Sequence, residues 1–159
     1  MERCKGGGLM ALPSVDTLQL ALGSSFSVSE LERTNEVSGK VETVLWILTP
    51  FLDTKNDAIY VTLRESENSD GNTLLYISDE RYASDFLWSI PMFRTQGKKA
   101  LKMVRKLIRH NNTVLHNGYL FIRLLPEEGK DPVFVANQIK NLTRIILIVT
   151  SLPITMSKY

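Results

Sequence analysis

A chain of 159 residues, 43% hydrophobic and 23% charged, can bury one core without covalent staples and has the make-up of an ordinary globular domain. Its single cysteine, Cys4, excludes an internal disulfide framework and a cysteine-built zinc site, and two histidines, His110 and His116, are too few for most histidine-rich metal centres. The net charge of +2 conceals a division, because residues 1–93 carry 7 basic and 14 acidic side chains whereas residues 94–159 carry 12 and 3. Halves at −7 and +9 point toward an electrostatically directed partner.

The first nine residues, MERCKGGGL, show no periodicity. Lys5-Gly6-Gly7 can be encoded by a purine-rich ribosome-binding signal, with Met10 at a suitable distance downstream. Residues 1–9 are therefore expected to be a non-native leader or a disordered tail, with translation starting at Met10 and one domain over 10–159. No apolar signal core opens the chain and no uncharged run reaches about 20 residues. The expectation is a cytoplasmic protein with no membrane contact.

Ser14 as N-cap, Asp16 in the first turn and Gly23 beyond the end predict a short helix with Val15, Leu18 and Leu22 on its apolar face. Residues 26–31 alternate around Phe26 and Val28, as an edge strand does, and Gly39 hinges the turn that follows. The stretch 41–80 is the clearest strand signal. Val44 to Leu48 is nearly all apolar, Ile59, Val61 and Leu63 alternate with Tyr60, Thr62 and Arg64, and 74–78 returns as a third strand. Polar turns at 53–57 and 65–72 make an antiparallel meander of the three. Pro50 cannot donate to a ladder, so its strand must be at an edge or near its end there.

Tyr82, Phe86 and Leu87 recur at helical spacing until Pro91. Residues 97–111 read as an amphipathic helix, with Ala100, Val104, Leu107 and Ile108 inward and Lys98, Lys102, Arg105 and Arg109 outward. Asn117-Gly118 is the strongest turn signal in the chain and predicts a hairpin over 113–125. Asp131-Pro132 should open a long helix. Val135, Ile139, Leu142, Ile146 and Val149 give it a stripe, widened by Ile145 and Ile148, and Pro153 should end it. So apolar a helix is either deeply buried or shared with a second copy in a homodimer. Trp46 and Trp88 are expected in the core. The fold class is α+β: an antiparallel meander, helices packed on one face and a long C-terminal helix.

Thr49-Pro50-Phe51, Asp53, Asp57 and Ser78-Asp79-Glu80-Arg81-Tyr82 resemble the motifs of domain of unknown function 1828, a family of bacterial and prophage proteins without established activity. The likeness runs over roughly residues 12–152, and the basic helix, hairpin and final helix follow in the family's order. Glu80-Arg81 departs from it, because the family has an acid followed by glycine there. The resemblance implies a phage or mobile-element origin and brings no reaction.

Asp53, Asp57, Asp79 and Glu80 fall at the ends of neighbouring strands, where carboxylates could converge on a divalent ion as in metal-dependent nucleases. No acid-x-Lys pair follows on the next strand, and Asp is also a turn former, so the bland reading is preferred. Residues 94–109 hold seven Lys or Arg and no acid. A stripe of Arg94, Lys98, Lys102, Arg105 and Arg109 would attract phosphate or carboxylate, without the aromatic interleaving that base stacking needs. Neither histidine has an acid or cysteine near it in sequence, and Ser78 lacks the glycines of a nucleophile elbow. No catalytic, cofactor or metal residue is assigned. The expected function is a phage-associated, non-catalytic interaction module that binds a host protein or nucleoprotein, such as an inhibitor of a bacterial defence system. Direct nucleic-acid binding by the basic helix is the alternative, and a metal nuclease using Asp53, Asp57 and Asp79 is the second.

Overall fold

The computed structural model describes residues 12–67 and 70–156, with the side chains of 92–94 and 154–156 outside that description. The expected start at Met10 and the proposed role of the Arg94 side chain both lie outside the described residues.

A meander of four strands builds most of the sheet: β1 (Ser27–Thr34), β2 (Val41–Leu52), β3 (Ala58–Glu67) and β4 (Thr73–Ser78). A later hairpin, β5 (Val114–His116) and β6 (Tyr119–Leu124), completes it through β6, giving the antiparallel order β1-β2-β3-β4-β6-β5. Asn117 and Gly118 both have positive φ at the hairpin turn, the backbone that the right-handed twist of two strands requires. At Pro50 the missing N–H costs no ladder bond to β1, because β1 pairs with β2 only as far as Leu48. Pairing with β3 is also irregular between Leu48 and Leu52, so β2 bends where it leaves the sheet.

Strand alternation sends Leu45, Ile47, Ile59, Val61, Leu63, Leu75, Ile77 and Ile122 to one face, where they are fully buried. The helices cover that face. α1 (Val15–Leu22) is capped by the Ser14 hydroxyl, which accepts from the Thr17 amide, and buries Leu18 and Leu22. α5 (Pro132–Met156) starts on the Asp131 carboxylate, which accepts from the Val133 and Phe134 amides. Its Val135, Ile139, Leu142, Ile145, Ile146 and Val149 are buried. Each such side chain contributes about 1.5–3 kcal/mol of transfer free energy, so α5 is the main anchor of the helical layer. Residues 132–153 are long and apolar enough to cross a bilayer by length and composition, which the sequence reading did not anticipate. They pack on α1 and across β3, β4 and β6. The apolar stripe is thus used largely within the chain.

Three expectations need correction. Pro91 does not only stop α2 (Tyr82–Trp88): it is the first residue of α3 (Pro91–Arg109), which begins six residues earlier than expected. Proline suits that position, where an amide has no intrahelical acceptor. The earlier start is accommodated by a break at Gln96, whose φ of −113° and ψ of 23° are non-helical. Pro153 sits inside α5 rather than ending it; only three helical residues follow, so the lost bond falls in a terminal turn. Neither tryptophan is a core residue: Trp88 is 56% exposed, and Trp46 is half-buried on the uncovered face of the sheet.

Candidate interaction surface

The motif residues meet where the end of β2 comes against the end of β4. Asp53 closes the β2–β3 turn: its Oδ1 accepts from the Lys55 amide at 2.7 Å and the Asp57 amide at 3.0 Å. Its Oδ2 accepts from the Tyr82 hydroxyl, 29 positions on, at the first residue of α2. Burial opposes the Asp53 charge, but the Tyr82 hydroxyl, the two amides and the Lys55 ammonium outweigh it and hold the carboxyl below its ordinary value. Burial, and then Asp53, push the Tyr82 phenol well above its own.

Asp79 is fully buried and ties three segments together. Oδ1 accepts from the Arg81 amide at 3.0 Å and the Leu120 amide of β6 at 2.9 Å, while Oδ2 accepts from the Ala83 amide of α2 at 3.0 Å. Burial raises its carboxyl to about 6 against those three amides. Glu80 accepts from the Thr62 hydroxyl at 2.6 Å and from Arg33 at 3.4 Å. The Thr49 hydroxyl donates to the Ile59 carbonyl, and the Ser78 hydroxyl accepts from the Glu80 amide. Pro50, Phe51 and Asp57 are exposed. The oxygens of Asp53 and Asp79 are thus committed to backbone amides and a phenol. Among the described residues no group of three His, Cys, Asp or Glu is placed to hold a metal ion. The motif is a staple between two strand ends, and Glu80 and Arg81 within it both have positive φ, 50° and 67°, which a glycine would adopt without strain.

The basic residues behave differently. Lys98, Lys99, Lys102, Arg105, Lys106 and Arg109 are all exposed on α3. At 100° per residue these six positions fall within an arc of about 120°, and they span about 17 Å of axis. Ala100, Val104 and Ile108 turn to the buried side. None of the six takes part in an ion pair among the described residues. The sequence reading singled out four of these cations; Lys99 and Lys106 widen the stripe into a face.

A feature absent from the sequence reading lies beside that face. A cavity of about 680 Å³ opens between α2, α3, the β5–β6 hairpin and α5. Leu87, Trp88, Leu101, Val104, Leu115 and Val149 line it, and the exposed Lys98 and Lys99 border it. The Trp88 ring lies against Gly97, where an added Cβ would come within 3.3 Å of it. The walls of the cavity come from segments as far apart as Ala83 and Val149, so no local stretch of sequence announces it. No family model matches this chain, and neither a curated protein nor a solved structure is similar to it.

Proposed function

We propose that this chain is a non-catalytic interaction module that docks an acidic protein surface on α3. The observation that carries this reading is the adjacency of six unpaired cations to an apolar cavity. A cationic face steers an acidic partner and fixes its orientation, but exposed charge pairs add little affinity by themselves. Affinity comes from a buried apolar anchor at the centre of an interface, and the cavity is large enough to receive one. A bare duplex would use the cations and leave the cavity empty. The resemblance of the motif residues to domain of unknown function 1828 supports a phage or prophage source, and a component of a bacterial defence system is the acidic partner that fits it. Direct binding of nucleic acid is the second reading, favoured by the cationic arc alone.

Fluorescence anisotropy with two acidic amphipathic peptides, one carrying a leucine anchor and the other serine in its place, and with a 20-base-pair duplex, tests this. The anchored peptide should bind at least tenfold more tightly than the serine peptide, and a Lys98→Glu, Lys102→Glu, Arg105→Glu variant should lose both. Tight binding of the duplex alone, with a salt slope near −5 as six phosphate contacts would give, hands the function to nucleic acid. No binding of any probe in 50 mM salt leaves the arc a solvated helix face and refutes both readings.

A further inference from the structure

The uncovered face of the sheet holds a second, smaller recess. Arg64 projects from β3 on the face opposite the core, paired in register with Tyr76, which is itself paired with Arg123. Its Nε is the one buried side-chain nitrogen or oxygen among the described residues with no hydrogen-bond partner. None of the ion pairs among the described residues includes Arg64. A buried guanidinium N–H without an acceptor is costly, because it forfeits its hydration without return.

Arg64 lines a pocket of about 170 Å³, together with Tyr76, Ser78, His116, Asn117 and Tyr119. The Ser78 oxygen accepts from the Glu80 amide, which leaves its hydroxyl hydrogen free to donate. No aspartate or glutamate lines the pocket. It is about a quarter the size of the apolar cavity, room for one compact polar group and not for a whole cofactor. Arginine offers donors in a planar fork that matches an oxyanion, and Nε is half of that fork's side-on edge. Beside Arg64 and the Phe121 ring, the lining residues are two tyrosines, a serine, an asparagine and a histidine, whose side chains carry more donor groups than the two oxygens of a carboxylate can use. Three phosphate oxygens can use them.

We infer that the Arg64 pocket binds the phosphate group of a small phosphorylated ligand. The site is on the other side of the β5–β6 hairpin from the apolar cavity, so it is independent of docking on α3. Leu115 and Leu120 face the cavity, while His116 and Tyr119 face the phosphate pocket.

The probes are inorganic phosphate and phenyl phosphate, read by thermal unfolding and by the ¹H–¹⁵N signal of the Arg64 side chain, against sodium chloride of equal ionic strength. Both phosphates should raise Tm with concentration and shift the Arg64 Nε–H signal; sodium chloride should do neither. Arg64→Met removes the charge but keeps the stem, so it should be at least as stable as the parent without ligand and bind phosphate at least tenfold more weakly. Arg64→Lys, which keeps the charge and loses the fork, should fall between them. The Lys98→Glu, Lys102→Glu, Arg105→Glu variant must keep the full response, which separates this site from α3. A response that survives Arg64→Met, one that disappears with the α3 variant, or no response beyond that of sodium chloride each overturns the assignment.

Discussion

Asp79 offers the most informative single perturbation, because its charge and its hydrogen bonds pull in opposite directions. Asp79→Ala leaves the amides of Arg81, Ala83 and Leu120 without their acceptors, and two of these bonds lie in the buried interior. Each orphaned buried amide costs about 1–3 kcal/mol, so a loss of at least about 2 kcal/mol is expected, from a total that for such a domain is only about 5–15 kcal/mol. Asp79→Asn keeps an acceptor and carries no charge, so it imitates the protonated acid. The carboxyl is raised from 3.8 to about 6, and that rise is worth about 3 kcal/mol. The folded protein holds this proton more tightly than the unfolded chain does. The group's contribution to stability is therefore fully present below pH 3.8 and is lost as pH rises to about 6. Urea unfolding of the parent and the Asn variant at pH 4 and pH 7 isolates the effect, since other titrations cancel in the difference. The difference should move by about 2 kcal/mol in favour of Asn between the two, most of the full rise. A difference that is flat with pH, or that moves toward the parent, refutes the argument, because the three amides would then have outweighed burial.

Arg81 and Tyr82 test the rest of the staple. Arg81 is held at a φ of 67°, so Arg81→Gly should be more stable than Arg81→Ala by about 1 kcal/mol; equal stabilities would mean that the left-handed backbone carries no strain. Tyr82→Phe removes the hydroxyl that donates to Asp53 and should cost about 1.5–3 kcal/mol, as bonds to charged groups do. The Asp53 carboxyl should also titrate closer to its ordinary value in that variant, which ¹³C chemical shifts of the side chain would detect; an unmoved titration would show that the two amides suffice.

The meander, the hairpin and the long final helix were legible because their signals are local. Ile59, Val61 and Leu63 alternate, Asn117-Gly118 supplies two residues suited to positive φ, and Val135 to Val149 repeats at helical spacing. What escaped the sequence depends on distant segments. The Asp53–Tyr82 bond joins positions 29 apart, and nothing within either turn announces it. Tryptophan is usually buried, yet Trp88 borders a cavity and Trp46 stacks on Tyr60, with ring centroids 3.9 Å apart, on the open side of the sheet. Pro91 was read only as a terminator because proline serves equally well after one helix and at the start of the next, and the separation of α2 from α3 is just two residues. Arg64 was visible as part of a mixed strand face, but its lack of a partner is a fact of packing.

The two margins of the sheet differ in a way that governs how copies of this protein meet in concentrated solution. β5, at one margin, is three residues long and offers too short a ladder for another chain to extend. β1, at the other, runs for eight residues; beyond Val28, whose amide donates to the Gln19 side chain of α1, its outer margin has no strand beside it and is long enough to recruit one. Its sequence, SVSELERT, sets Glu30 and Glu32 side by side on one face. Two copies that approached β1 to β1 would bring four carboxylates into one narrow seam, and opposed like charges destabilise a strand pair. Two side chains that contribute nothing to the interior thereby oppose sheet extension at that margin.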